Sequence, residues 1–122
     1  LKKVARVMEL ELRKSDPVCR YGGEEFAIVL PETPPSHAYT VAERIRKKIA
    51  RLSLGFPVTA SIGLSCSMGA VAITPEALVR EADKALYAAK NGGRNQTGFQ
   101  EPSKHFPSKP FVFDAMVAVA NA

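Results

Sequence analysis

Val4, Val7, Met8 and Leu12 recur at helical spacing among lysines and arginines, which predicts an amphipathic helix over Leu1 to Lys14, stopped by Asp16-Pro17. Pro17 to Tyr21, the pair Gly22-Gly23, and Glu24 to Leu30 then read as strand, glycine tip and strand. Glycine supplies the positive φ that tight hairpin turns demand. Pro31 to Pro35 is a breaker cluster, after which Ser36 caps a helix running to about Leu52. On that helix Val41, Ile45, Ile49 and Leu52 form the inward stripe, and Arg44, Arg46, Lys47, Lys48 and Arg51 cover the outside. Pro57 to Ser65 reads as a strand. Thr74 caps a third helix starting at Pro75-Glu76, whose Ala77, Leu78, Ala82, Ala85, Leu86 and Ala89 predict close packing, and Gly92-Gly93 ends it. The order helix, hairpin, helix, strand, helix predicts a mixed α/β (α+β) domain with a largely antiparallel sheet covered by helices on one or both faces. Past Phe99 the pattern breaks: Pro102, Pro107 and Pro110 interrupt a polar stretch read as a linker or surface extension, and Phe111 to Ala122 is an apolar tail.

Composition adds bounds. A chain of 122 residues, 46% hydrophobic and 24% charged, suits one globular domain with one core and needs no disulfide or structural metal. Cys19 and Cys66 lie far apart with no Cys/His grouping, which disfavours a zinc site and fits reduced thiols in the cytosol. No apolar run reaches the roughly 20 residues of a membrane span, and no leader pattern is present. The chain opens at Leu1 directly in a helical pattern, so a preceding part of a larger protein is expected. The net charge of +5 favours an anionic partner: nucleotide, nucleic acid or anionic surface. The basic run on the second helix lacks interleaved aromatics and reads as a solvated face, so nucleic-acid binding is the weakest of these.

Chemistry concentrates in Arg20-Tyr21-Gly22-Gly23-Glu24-Glu25-Phe26. Two glycines let a phosphate-bearing ligand approach the main chain, whose N–H groups at a tight turn form an anion-binding concavity. The carboxylates that follow are the hard oxygen donors that Mg²⁺ takes when it bridges protein and nucleotide phosphates. Strand alternation would send Glu24 and Glu25 to opposite faces, making only one a direct metal ligand. In isolation the stretch would be a plain hairpin with solubilising acids at its tip.

From Leu10 to about Phe99, however, the chain resembles the GGDEF family of diguanylate cyclases. The resemblance rests on Gly22-Gly23-Glu24-Glu25-Phe26, a form of the signature with Glu at the third position. Arg13-Lys14-Ser15-Asp16 and Arg20-Tyr21 stand before it. Ala42-Glu43-Arg44-Ile45-Arg46, Ser61-Ile62-Gly63, Ala82-Asp83-Lys84-Ala85-Leu86-Tyr87-Ala88-Ala89-Lys90 and Gly93-Arg94-Asn95 follow in the family's order and spacing. The resemblance implies a palm-like fold of the nucleotide-cyclase, ferredoxin-like kind. It also implies a GTP substrate with Mg²⁺ or Mn²⁺, and two domains facing each other as a homodimer to make cyclic di-GMP and pyrophosphate. Carried over by position, Gly22 and Gly23 line the nucleotide, Glu24 holds the metal, and Glu25 lies near the attacking hydroxyl or a water on the metal. Lys90 and Arg94 hold the terminal phosphates, a task that an ammonium and a guanidinium both suit. Arg13 and Asp16 match the family's product-inhibition R-x-x-D, with Arg44 of a second domain completing the site. Arg can donate to guanine O6 and N7, and a carboxylate can accept from N1–H and N2–H. Asp83 and Tyr87 are expected to hold the last helix to the sheet.

In the family, a segment before the position of Leu1 supplies a central strand with the first metal-binding Asp, a phosphate-binding Lys and the residues that read guanine. The expectation is therefore a partial, N-terminally truncated GGDEF domain over residues 1–100 and a C-terminal extension over 101–122. The chain alone would be inactive, and an upstream sensory domain and a cytoplasmic site of action are expected, with a membrane anchor conceivable in the parent protein. Unpaired edges left by a missing central strand could be satisfied by a partner, by strand exchange, or by Phe111 to Val117 entering the gap. The rival from another class is a non-catalytic receptor for cyclic di-GMP or GTP.

Overall fold

The computed structural model describes residues 2–20, 23–53, 55, 57–68, 74–99 and 113–121. Helix α1 spans Lys2–Glu11, strands β1 and β2 span Val18–Arg20 and Glu25–Pro31, and helix α2 spans Pro35–Ala50. Strand β3 covers Ser61–Met68, helix α3 Pro75–Asn91, strand β4 Thr97–Phe99 and strand β5 Phe113–Asn121. Among the described residues no helix is long and apolar enough to cross a membrane.

The five strands form one sheet in the order β1-β2-β5-β3-β4. β1 and β2 are the antiparallel hairpin, β5 lies antiparallel to both β2 and β3, and β4 alone runs parallel to its neighbour. The apolar tail thus enters the sheet, as one of the three expected rescues had it. Its described paired segment is Phe113–Asn121, which contains most of the expected 111–117 and continues beyond it; Phe111 and Val112 lie outside the described residues. The expected linker over 101–110 lies outside the described residues. β4 escaped the sequence reading because three residues, Thr97-Gly98-Phe99, carry too short a pattern to show a period.

Helices cover both faces. On one, Val4 and Met8 of α1 and Ala38, Val41, Ala42, Ile45 and Ile49 of α2 pack with Phe26, Ile28, Leu30, Ile62, Leu64 and Cys66 of the sheet. Alternation along β2 turns Val29 the other way, where it meets Leu78, Ala82 and Leu86 of α3. α3 lies almost on the sheet backbone: a Cβ on Gly63 would stand 2.2 Å from the Ala82 carbonyl oxygen, and one on Gly98 2.6 Å from that of Ala85. The alanine stripe and these two glycines make one close contact from both sides. Tyr87, expected to hold this helix down, is instead 69% exposed, because the stripe through Ala82, Ala85, Leu86 and Ala89 turns it outward.

Several boundaries differ from the sequence expectation for local reasons. α1 stops at Glu11 rather than Lys14 because Arg13 and Asp16 close a turn of their own, with Arg13 N donating to Asp16 Oδ2 at 2.9 Å. Pro35 takes the first helical position of α2 after Pro34, so Ser36 lies inside the first turn and caps nothing. α2 ends at Ala50, with Leu52 still packed on the core. β3 begins at Ser61, four residues after Pro57, and continues to Met68. Thr74 does cap α3, accepting from Ala77 N at 3.1 Å, and Gly93 adopts φ +118° just past its end.

Glu11 ties α1 to α2 by accepting from Lys48 and pairing with Arg44 at 3.2 Å. The hydrogen bond from Lys48, and then the charges of Lys48 and Arg44, hold the Glu11 carboxyl below its usual range against the opposing cost of burial. A group depressed in this way stabilises the fold above its unfolded pKa and loses that contribution as pH falls through its folded pKa. Wild type should therefore exceed Glu11→Gln in unfolding free energy from urea titration near neutral pH, by less than about 1 kcal/mol for so exposed a pair of cations. The difference should vanish in acid, below the carboxylate range; a gap that persists there would show that the pair is not its source. Gly63→Ala should cost about 2–3 kcal/mol in urea or thermal unfolding, because the nearest atoms are helix backbone and cannot step aside.

Candidate active site

One rung fixes the geometry. Arg20 faces Phe26, Phe26 faces Ala120, Ala120 faces Ile62, and Ile62 faces Thr97, a straight line across all five strands. Everything just beyond that line lies at one end of the sheet: the hairpin tip, Glu25, Asn121, Ser61 and the loop carrying Arg94. Three inter-strand steps separate β2 from β4, so the two flanks are about 14 Å apart.

At the first flank, Gly22 and Tyr21 lie outside the described residues. Gly23 is open, with nothing within 4 Å of where a Cβ would stand. Arg20 grips its carbonyl oxygen, donating from Nε at 3.1 Å and Nη2 at 2.6 Å. The sequence reading gave Arg20 no role, although its three-residue offset across the glycines was visible. Glu24 is exposed in the tip bend, and β2 starts only at Glu25, which is half-buried. The alternation argument therefore does not apply to this pair, since Glu24 precedes the strand; the two still differ in surroundings. Beside the hairpin is a cleft of about 230 Å³ between Lys2, Ala5 and Glu9 of α1 and Cys19, Arg20 and Phe26.

At the second flank, Lys90 sits in the last turn of α3, and Arg94 is exposed in the loop that follows. Arg94 has φ +62° and Asn95 φ +44°. That loop is anchored at both ends: Arg94 N donates to Ala89 O at 3.1 Å, and Ile62 N donates to Gln96 O at 3.0 Å. A further anchor comes from α2, where Arg46 Nη1 donates to Asn95 Oδ1 at 3.0 Å and to Asn95 O at 3.3 Å. Glu43 accepts from Arg46 and, at 3.3 Å, from Thr97 Oγ1. Its carboxyl is held below the usual range, first by the Arg46 hydrogen bond.

Arg13 and Asp16 come together at the opposite end of the hairpin, about 20 Å from the tip along the strands. Asp16 Oδ1 accepts from Arg13 Nη2 at 2.8 Å and from Nε at 3.2 Å, and Nη2 also reaches Pro31 O and Thr33 Oγ1, both at 2.9 Å. The pair is closed: the Asp16 side chain is 4% exposed beneath an Arg13 that is 54% exposed. Arg44 is paired with Glu11, two residues before Arg13 in the chain.

The acids present fit a hard cation only in part. Among the described residues no group of three His, Cys, Asp or Glu gathers, and Glu24 with Glu25 offers the one or two carboxylates that Mg²⁺ takes beside waters and substrate phosphates. The described tail strand adds no acid there: Asn121 holds the register position beside Glu25, and Asp114 lies at the far end of β5.

The family model described as "Diguanylate cyclase, GGDEF domain" matches residues 1–96. The chain belongs to the GGDEF family. It is 45% identical over 95 residues to diguanylate cyclase DgcM of Escherichia coli K12, covering 76% of this chain and 23% of that protein. The chain spans about a quarter of the length of the curated relatives it matches. Among solved structures, the GGDEF domain of DgcB from Caulobacter crescentus in complex with c-di-GMP superposes with a TM-score of 0.75 at 31% identity, over 81% of this chain and 61% of that one. The active GGEEF domain of a diguanylate cyclase from Vibrio cholerae gives 0.71 at 28% identity, over 84% and 67%. The GGDEF assignment agrees with the palm-like sheet and flanking helices expected from sequence.

Proposed function

We propose that this GGDEF chain is part of a catalytic domain that condenses two GTP molecules into cyclic di-GMP, with two such domains facing each other in a homodimer. The observation that carries the reading is the arrangement at one sheet end: a bare Gly23 and exposed Glu24 on one flank, Lys90 and Arg94 on the other. A triphosphate needs this pattern, with close main-chain approach and an acid for a cation at one point and positive charge at another. Glu24 is the ligand for Mg²⁺ or Mn²⁺, which when bound supplies charge neutralisation at the phosphates. Gly22 and Gly23 line the nucleotide, and Arg20 holds the turn in shape through the Gly23 carbonyl. Lys90 and Arg94 bind the terminal phosphates, so that pyrophosphate leaves from the side they neutralise. Glu25 stands near the 3′-hydroxyl of one GTP as its oxygen bonds to the α-phosphorus of the other and the bond to the β-phosphate oxygen breaks. The exchange happens twice, releasing two pyrophosphates. GTP, cyclic di-GMP and a second GGDEF domain are thus the partners, in the cytoplasm.

Arg13 and Asp16 form the product-inhibition site, with Arg44 of the facing domain as its third member. In the closed pair the carboxylate that would accept from guanine is occupied by Arg13, so binding requires Arg13 to swing off Asp16. The distance of this site from the hairpin tip supports two separate ligand positions. The receptor reading, in which ligand is bound without turnover, draws on Glu24 and Glu25 having no third His, Cys, Asp or Glu gathered with them among the described residues.

Turnover of Mg²⁺-GTP by the protein from its full reading frame, followed as cyclic di-GMP by chromatography, tests both readings. Glu24→Ala should lower it at least about 100-fold; an unchanged rate removes the metal role, and binding of GTP without pyrophosphate release in wild type establishes the receptor. Arg13→Ala should weaken inhibition by added product about 10- to 100-fold, the loss of a charged hydrogen-bond pair. Inhibition that stays at the wild-type product concentration would remove the assignment of that site.

A further inference from the structure

We propose that Arg46 and Glu43 of α2 are positioning residues for phosphate binding, acting by holding the Arg94 loop; this rests on the reading of Arg94 given above. Neither residue belongs to the hairpin tip or to the Arg13–Asp16 pair; both lie in the stretch Ala42-Glu43-Arg44-Ile45-Arg46 that helps carry the resemblance, and the sequence reading gave neither of them a role.

The loop needs a restraint. Gly93, Arg94 and Asn95 run consecutively at φ +118°, +62° and +44°. Glycine takes such values freely and asparagine tolerates them, whereas an arginine avoids them and keeps them only when surrounding bonds impose them. The bonds are visible. Arg46 crosses from α2 to hold Asn95 by both its carbonyl and its side-chain oxygen, and Gln96 Nε2 reaches back to Arg94 O at 3.4 Å.

Arg46 is itself oriented. Its Nε and Nη2 face the Glu43 carboxylate, Nη2 donating to Oε1 at 3.3 Å, which leaves Nη1 for Asn95. Glu43 is fixed a second time by the Thr97 hydroxyl, so the same carboxylate joins the α2 clamp to the first residue of β4. Both side chains are mostly covered, at 16% and 23% exposure, unlike Arg44 and Lys48 of the same helix, at 50% and 56%. A planar fork already committed to one partner holds another in a fixed direction, and an ammonium at this position could not. A loosened clamp would let Arg94 relax toward ordinary φ values and swing away from the position that its backbone now dictates.

The test is binding of a GTP analogue with a methylene α–β bridge, compared with GMP, by calorimetry on the protein from its full reading frame. Arg94→Ala should weaken the triphosphate analogue about tenfold and leave GMP unchanged. Arg46→Ala and Arg46→Lys should reproduce that selective loss, and Arg46→Ala with Arg94→Ala should be no worse than Arg94→Ala alone. Asn95→Gly, which suits the positive φ and removes only the side-chain acceptor, should give a smaller selective loss with the fold intact, so the conclusion stands even if Arg46→Ala unfolds. The proposal is overturned if Arg94→Ala discriminates the two nucleotides while the Arg46 and Asn95 variants do not, or if the double variant is additive. If Arg94→Ala itself fails to discriminate, the phosphate reading of Arg94 falls and takes the proposal with it.

Discussion

The structure depends on main-chain pairing across a sheet whose middle strand comes from the far end of the chain. β2 and β3 never touch as neighbours; each bonds to β5. Without β5, two rows of backbone donors and acceptors would face each other across a gap of one strand, at a cost no side-chain contact could offset. With it, the rung from Arg20 to Thr97 is continuous. The hairpin tip and the Arg94 loop then lie at the same edge because the registers on both sides of β5 agree.

Much of this was legible in the sequence, and the reasons differ by element. α2 and α3 declared themselves through apolar stripes long enough to show a period, and the hairpin through two glycines between alternating segments. The pair Gly63 and Gly98 could be seen as small residues, but only the structure shows that they face α3 and let its backbone settle on the sheet. β4 was too short to read. The tail was read as apolar, yet apolarity alone does not choose between an edge, a partner and a central slot; that choice is made by hydrogen bonds that no local pattern encodes. At the site, residue types pointed to the hairpin tip and the Arg13–Asp16 pair. The spacing could not show that Asp16 would be hidden beneath Arg13, nor that Arg46 would reach a loop 49 residues away.

Composition reported a basic chain, and the structure shows how that charge is distributed. Arg13, Arg20, Arg44 and Arg46 each hold a carboxylate or a carbonyl within the fold. Their task is to shape turns and bind elements together. The excess of positive charge is thus a poor guide to ligand, and the reading of the basic α2 face as simply solvated was right for Lys47 but not for Arg46, which is turned inward on Glu43.

The hairpin joins the open turn at Gly23 to the Arg13–Asp16 pair at the other end of its strands, and its packing decides what kind of displacement could travel along it. Phe26, Ile28 and Leu30 are buried on one side of β2 while Val29 faces α3 on the other. Sliding by a single residue would turn the first three onto the α3 face and bring Ala27 and Val29 against α1 and α2, breaking the packing on both sides, so the ribbon behaves as a ruler with no creep. A displacement that began at Arg13 could arrive at Glu24 only by tilting the ribbon as a rigid rod against α1, never by lengthening or shortening it.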